Sequence, residues 1–327
     1  MVCQLPLPAS PVKLIFDTDM GNDIDDAQAL AMIHALQDRG AVELLAVTST
    51  KDHPLSVAYI DALNTFYGRP DIPVGAVRNG VTPAPGKYLG IVERKDSAGN
   101  QFYPHDLKSG AEAMEAVALL RKTLAAQEDN SVSIAQVGFF TNLVRLIDSK
   151  PDEFSPLTGE ELIRKKVKQL GVMAGAFIAI NGNEKFLEYN VKTDIPSAQM
   201  LAEKWPGKIN WSGYEIGTSA RYPNESILED YNYVEDHLIK ESYLAYCAAG
   251  EDRPTWDLTT VLQLIYPDRG YFSLSGEGTV TVGEDGFTEF SSEGNQHRYL
   301  KMDEGQSIRV REAFAQLCPA PPASLAK

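Results

Sequence analysis

Ten consecutive residues carry the densest chemistry in this chain. They read Asp17-Thr18-Asp19-Met20-Gly21-Asn22-Asp23-Ile24-Asp25-Asp26, with five carboxylates. So many like charges at close quarters repel one another unless protons or a cation neutralise them. A solvated acidic turn, with one aspartate capping a helix, accounts for one or two of the five. It does not account for Asp17 and Asp19 together with the adjacent pair Asp25 and Asp26. An all-oxygen donor set selects a hard cation over zinc, Ca²⁺ first and Mg²⁺ second.

Two known arrangements of aspartates can be tested against this segment. A calcium loop of the EF-hand type beginning at Asp17 requires Gly at its sixth position and Glu at its twelfth. The chain has Asn22 and Gln28 there, so that arrangement fails. An aspartate pair after a first strand also opens the haloacid-dehalogenase-type phosphatases. There Asp17 would be the nucleophile and Asp19 the acid/base, and this alternative stays open here.

The elements that must hold these residues follow from hydrophobic patterning. Residues 12–16 form a short apolar run, the pattern of a buried strand, and 27–36 follow at helical spacing. The theme repeats. Strand patterns fall at 41–48, 72–77, 132–137, 169–173 and 208–211, and helical patterns at 54–67, 111–127, 141–149, 196–204, 234–248 and 257–265. A long Gly- and Pro-rich stretch occupies 79–110, a length that is often functional. From 271 to 302 the pattern changes to short β runs broken by glycines, which reads as a hairpin or meander, and 306–317 is a closing helix. Repeated β-then-α order predicts an α/β fold. It has a mostly parallel, Rossmann-like sheet with helices on both faces, plus a small C-terminal β meander. No composition break divides the chain, so 12–317 reads as one domain between an N-terminal extension, 1–11, and a disordered tail, 318–327. Ligands of such sheets sit beyond the carboxyl ends of the strands, which is where the aspartate cluster falls.

Composition narrows the function classes. Lys and Arg number 30 against 45 Asp and Glu, a formal net charge of −15. That balance excludes sequence-independent nucleic-acid binding and attachment to an anionic membrane surface. A 43% hydrophobic content is ample for a folded core. No stretch approaches the ~20 apolar residues of a transmembrane helix. The first residues lack a basic segment followed by an apolar one, the pattern of a cytoplasmic protein; a trimmed signal peptide would make it periplasmic or secreted. Cys3, Cys247 and Cys318 lie far apart with no CxxC, which argues against a disulfide framework or zinc cluster.

Four segments together resemble the inosine–uridine-preferring nucleoside hydrolases. The aspartate cluster is similar to the family's D-x-D-x-G-x-D-D-A signature, lengthened by two residues, Asp23-Ile24. Gly138-Phe139-Phe140-Thr141-Asn142 resembles its G-x-x-T-N segment. Met173-Ala174-Gly175, Asn181-Gly182-Asn183 and Glu188-Tyr189-Asn190 resemble its M-G-G, G-N and E-F-N run, and Asp194-Ile195-Pro196 the helix opening that follows. Trp256-Asp257 resembles its last metal-binding position. The resemblance spans 12–265.

It implies a Ca²⁺-dependent hydrolase that cleaves the N-glycosidic bond of ribonucleosides. Asp19 would be a metal ligand and the base, with Asp26, Asp257 and the Thr141 carbonyl as further ligands. Asp25, Asn183, Glu188 and Asn190 would hold the ribose hydroxyls, with Asp52 a further polar neighbour. Asp17 would support the loop. Asp23 could replace either member of the Asp25–Asp26 pair. Trp256 would stack on a purine, giving a purine leaning, with Tyr88, Phe102 and Tyr103 as other stacking candidates. His105, in the long loop, would activate the leaving base, and His34 would be structural. The partner implied is a small-molecule nucleoside, and the assembly a homodimer or homotetramer. A non-catalytic nucleoside- or sugar-binding relative is the reading from a different class.

Overall fold

The computed structural model describes residues 10–247 and 250–325. The expected extension and tail therefore lie partly outside the described residues. Within the described part of the tail, Cys318 is fully buried and the Ala323 amide donates to Asp38.

Among the described residues thirteen strands follow in chain order. They are β1 (Val12–Thr18), β2 (Val42–Lys51), β3 (Val74–Val81), β4 (Met114–Glu115), β5 (Val132–Gln136), β6 (Val167–Met173) and β7 (Ile209–Ser212). After these come β8 (Arg221–Tyr222), β9 (Arg253–Pro254), β10 (Ser273–Leu274), β11 (Thr279–Val282), β12 (Thr288–Ser291) and β13 (His297–Lys301). Nine of them form one sheet in the order β10-β13-β7-β6-β5-β1-β2-β3-β4. All its pairings are parallel except β10 with β13 at the edge. The mostly parallel α/β sheet expected from the sequence is thus the observed architecture.

Parallel strands covered by helices on both faces read as continuous apolar runs. Leu14, Ile15 and Phe16 of β1 show this, each fully buried, and every residue of β5 is buried. One face packs on Leu30, Ile33, Tyr59, Leu262 and Phe314; the other on Phe140, Leu143, Leu146, Leu201 and Trp211. Helix ends carry local sequence signals. Thr158 with Glu161, and Asp303 with Gln306, form reciprocal capping boxes before helices Gly159–Lys166 and Glu304–Leu317.

Two stretches differ in detail from their patterns. The glycine-broken segment forms the β11–β12 hairpin and the antiparallel β10–β13 pair, with Gly278 bridged to His297, and β13 in addition pairs parallel with β7 in the main sheet. His297 and Leu300 of β13, three residues apart and therefore on opposite faces of the strand, are both buried, and this burial favours the sheet over a free hairpin. The 79–110 stretch is mostly exposed but is anchored at a few points. Tyr88, Leu89 and Val92 of its 3₁₀ turn region are buried in the core.

The direction in which successive strands are added reverses between β1 and β5, which run parallel. From β1 the connections run outward through β2 and β3, and from β5 the other way through β6 and β7. That divide is the topological switch point where open α/β sheets bind ligands. No helix among the described residues is long and apolar enough to cross a membrane.

Candidate active site

At the switch point a cavity of about 380 Å³ opens beyond the carboxyl ends of β1, β5, β6 and β7. Asp19, Val137, Met173 and Tyr214, each just after or at the end of one of these strands, line it.

The aspartate loop is held from below. Asp17 is fully buried, its Oδ1 accepting from the Thr48 hydroxyl at 2.6 Å and the Asn142 amide at 2.8 Å. Burial pushes its carboxyl up to about 7, against those two hydrogen bonds. Gly21 turns the loop at φ +115°, and a Cβ there would meet the Leu89 side chain at 2.6 Å. Its N–H donates to Tyr88 Oη at 2.8 Å, and that hydroxyl donates onward to the Asp23 carbonyl at 2.7 Å. Tyr88 is thus a buried support of the loop, not the base-stacking ring expected of it. At Gly138 a Cβ would lie 2.5 Å from the Asp19 amide, so only glycine lets β5 end this close to the loop.

Asp19 is positioned by a relay. Buried Lys51 donates to Asn22 Oδ1 at 2.5 Å and to the Thr82 carbonyl, and Asn22 donates to Asp19 Oδ2 at 2.6 Å. Burial lowers the Lys51 pKa, while Asp19 and Asp26 oppose the fall. Sequence reasoning missed Lys51 and Asn22; a lysine at the carboxyl end of β2, where ligands of such sheets sit, was the available signal.

Asp25, Asp26 and Asp257 are buried together, and one oxygen from each lies within 4.8 Å of the others. Asp26 accepts from the Thr18 hydroxyl. Asp25 Oδ2 accepts from the amides of Trp256 at 2.8 Å and Asp257 at 3.2 Å, tying the first helix to the start of helix Asp257–Ile265. Burial, then mutual repulsion, pushes Asp26 and Asp257 well above the usual carboxylate range. Burial lifts Asp25 to about 8 and Asp19 to about 6. Among the described residues the ion pair at the cavity joins Arg253 to Asp23, not to this triad. Buried, oxygen-rich carboxylates without a basic partner fit a hard divalent cation.

The remaining wall divides in two. Glu188 accepts from the amides of Asn190 (2.9 Å), Val191 (3.1 Å) and Gly175 (3.2 Å), so it caps helix Tyr189–Thr193 and fixes the turn after β6. Burial still lifts it to about 7. Asn190 donates to the carbonyls of Val137 and Met173, bridging the ends of β5 and β6. The opposite wall is aromatic. Trp256 donates its indole N–H to the Tyr214 carbonyl at 2.9 Å, with ring centroids 5.4 Å apart. A Cβ at Gly217 would stand 2.1 Å from the indole, so glycine makes room for the ring. Arg253 pairs with Asp23 through Nε and Nη2 and lies beside the Tyr246 and Trp256 rings, at 5.1 and 5.6 Å from their centroids.

The structure therefore brings Asp19, Asp25, Asp26, Glu188, Asn190, Trp256 and Asp257 into one cavity. It does not bring His105, Asp52 or Asn183 there. The His105 ring bonds the Tyr103 carbonyl at 2.7 Å and Gln101 at 3.1 Å. Asp52 accepts from the Gly80 amide, and exposed Asn183 closes a turn with Ile180 and accepts from the Lys185 amide. Thr141 opens helix Thr141–Asp148, its hydroxyl donating to Asp194 at 2.7 Å, and it does not line the cavity. Tyr103 donates to the Asp236 carbonyl instead of facing the site. His34 is structural, as expected: its ring is buried, stacks on Tyr67 and bonds Asn64.

The family model of the inosine-uridine preferring nucleoside hydrolases matches residues 14–310, and the chain belongs to that family. A probable uridine nucleosidase 2 from Oryza sativa subsp. japonica is 26% identical over 228 residues, covering 68% of this chain and 62% of the rice protein. The chain matches about three fifths of the length of its curated relatives. Among solved structures, the plant nucleoside hydrolase PpNRh1 superposes with a TM-score of 0.70 at 22% identity, covering 95% of this chain and 100% of that one. The inosine-uridine preferring nucleoside hydrolase of Bacillus anthracis gives 0.70 at 18% identity, covering 94% and 99%. At these identities the superpositions speak for the fold.

Proposed function

We propose that this protein hydrolyses the N-glycosidic bond of ribonucleosides to free base and ribose, using a divalent cation, with Ca²⁺ the first choice. The observation that carries the reading is the buried triad of Asp25, Asp26 and Asp257 in a cavity with a polar wall on one side and an aromatic wall on the other. A hard cation held by Asp19, Asp26 and Asp257 would make a water acidic enough to attack at neutral pH. Asp19, oriented by Asn22, takes the proton of the attacking water. Asp25, Asn190 and Glu188 face the ribose hydroxyls, which amide and carboxylate groups can both bind. Trp256 and Tyr214 offer the base a stacking surface, which suits a purine.

Phosphatase chemistry at Asp17 is disfavoured by the same geometry. Asp17 is buried beneath the loop, bonded to Thr48 and Asn142, and does not line the cavity. A reducing-sugar assay with inosine, adenosine, guanosine and uridine in the presence of Ca²⁺ tests the proposal. Ribose release is the expected result. Binding without release points to a non-catalytic relative, and phosphate release from a phosphomonoester to the alternative chemistry.

A further inference from the structure

Breaking an N-glycosidic bond sends its electron pair to the base, and something must receive that charge. None of the five histidines lines the cavity. Tyr246 does, but burial raises its pKa and makes it a poor proton donor. Arg253 is the single cationic side chain among the described residues lining the cavity. It sits on the aromatic wall with Trp256 and Tyr246, where a stacked base would end.

Its partner is Asp23, one of the two residues by which the aspartate loop is longer. Asp23 takes Nε and Nη2 of the guanidinium, and Nη2 also reaches the Tyr246 hydroxyl at 3.3 Å. Among the described residues no hydrogen bond is made by Nη1, so the fork is held in one orientation with two N–H donors unspent.

Building on the hydrolase reading, we infer that Arg253, oriented by Asp23, receives the leaving base as an anion and selects bases with oxo edges. The balance is simple. The C1′–N bond breaks with its electron pair on the ring nitrogen, water adds its oxygen to C1′, and its proton passes to Asp19. The departing anion takes a proton from solvent. In hypoxanthine, guanine and uracil the negative charge spreads onto carbonyl oxygen, which a donor-only guanidinium stabilises. At C6 of a purine or C4 of a pyrimidine, adenine and cytosine offer it an amino donor instead of an oxygen, cytosine keeping only its O2. Because the charge grows only as the bond breaks, the contact acts on the transition state more than on binding.

The test compares kcat/KM of wild type and Arg253→Gln on inosine, adenosine, uridine, cytidine and 4-nitrophenyl riboside, the last leaving as an anion unaided. Wild type should favour inosine over adenosine and uridine over cytidine. Arg253→Gln should lose about a hundredfold on the oxo-nucleosides, mostly in kcat. It should lose far less on 4-nitrophenyl riboside, so that both preferences collapse. If Arg253→Gln does not fold, Arg253→Lys, which keeps the charge without the fork, should reduce the same ratios. Unchanged ratios, or an equal loss on every substrate by a variant of native melting temperature, overturn the role of Arg253. No release from any substrate by wild type overturns the hydrolase reading itself.

Discussion

Burying six carboxylates, five lining one cavity and Asp17 beneath it, ties stability to pH and to the cation, and the sign can be worked out. In the unfolded chain these groups titrate near 4. In the fold, Asp25 is pushed up to about 8, Asp17 and Glu188 to about 7 and Asp19 to about 6, burial being the first cause for each. Between those limits the folded state holds protons that the unfolded state has released. Cation-free protein therefore loses stability as pH rises from about 4 to 8, by about 1.4 kcal/mol per pH unit for each extra proton held. A divalent cation replaces those protons, so its benefit grows with pH. At a hundredfold excess over Kd it contributes about 2.7 kcal/mol. In a chain of 327 residues that is a rise in Tm of roughly 4 °C. Calorimetry of chelator-treated protein at pH 5.5 and 8, with and without Ca²⁺, measures both effects. We expect Tm without cation to be lower at pH 8 than at pH 5.5, and the Ca²⁺ increment to be large at pH 8 and small at pH 5.5. An increment equal at both values, or a cation-free Tm that rises with pH, would refute the reasoning.

Three substitutions separate the site from its scaffold. Asp257→Ala should abolish the Ca²⁺-dependent rise in Tm and the ribose-releasing activity together, as read by the same calorimetry and a reducing-sugar assay. Tyr88→Phe leaves the Gly21 amide and the Asp23 carbonyl without their shared hydroxyl. It should cost about 1–3 kcal/mol in denaturant unfolding and weaken Ca²⁺ binding, because the loop it pins carries Asp19 and Asp25. Arg121→Ala removes a buried guanidinium bonded to Asp152, Ser149 and the carbonyls of Ser155 and Leu157, far from the cavity. It should lower stability by about 3–5 kcal/mol while leaving the Ca²⁺ affinity of the folded protein unchanged in titration calorimetry.

Local pattern made the scaffold legible. The apolar run before Asp17, the helix after Asp26 and the polar ends of β5 and β6 each announce themselves within a few residues, and a parallel sheet follows from their repetition. Pairing is another matter. Nothing local to β13 says that it pairs with β7 as well as with β10, because its partners are chosen by what the pairing buries. The same divide runs through the site. Asp25, Asp26 and Asp257 were readable as a set only through an ordered series of motifs. The Asp23–Arg253 pair joins residues 230 positions apart and has no sequence signal of its own. His105 and Tyr88 sat in a loop of the right length and composition. Side-chain direction, which put the first against the Tyr103 carbonyl and the second under the aspartate loop, is a tertiary fact.

The claim on which the rest depends is that Asp25, Asp26 and Asp257 frame a cation site at the bottom of the cavity. A crystal grown or soaked with Ca²⁺ tests it most directly. The account predicts one ion beside these carboxylates, with ligands drawn from Asp19, Asp26 and Asp257. A cavity that stays free of the ion at saturating Ca²⁺, with the carboxylates as close together as before, would contradict it.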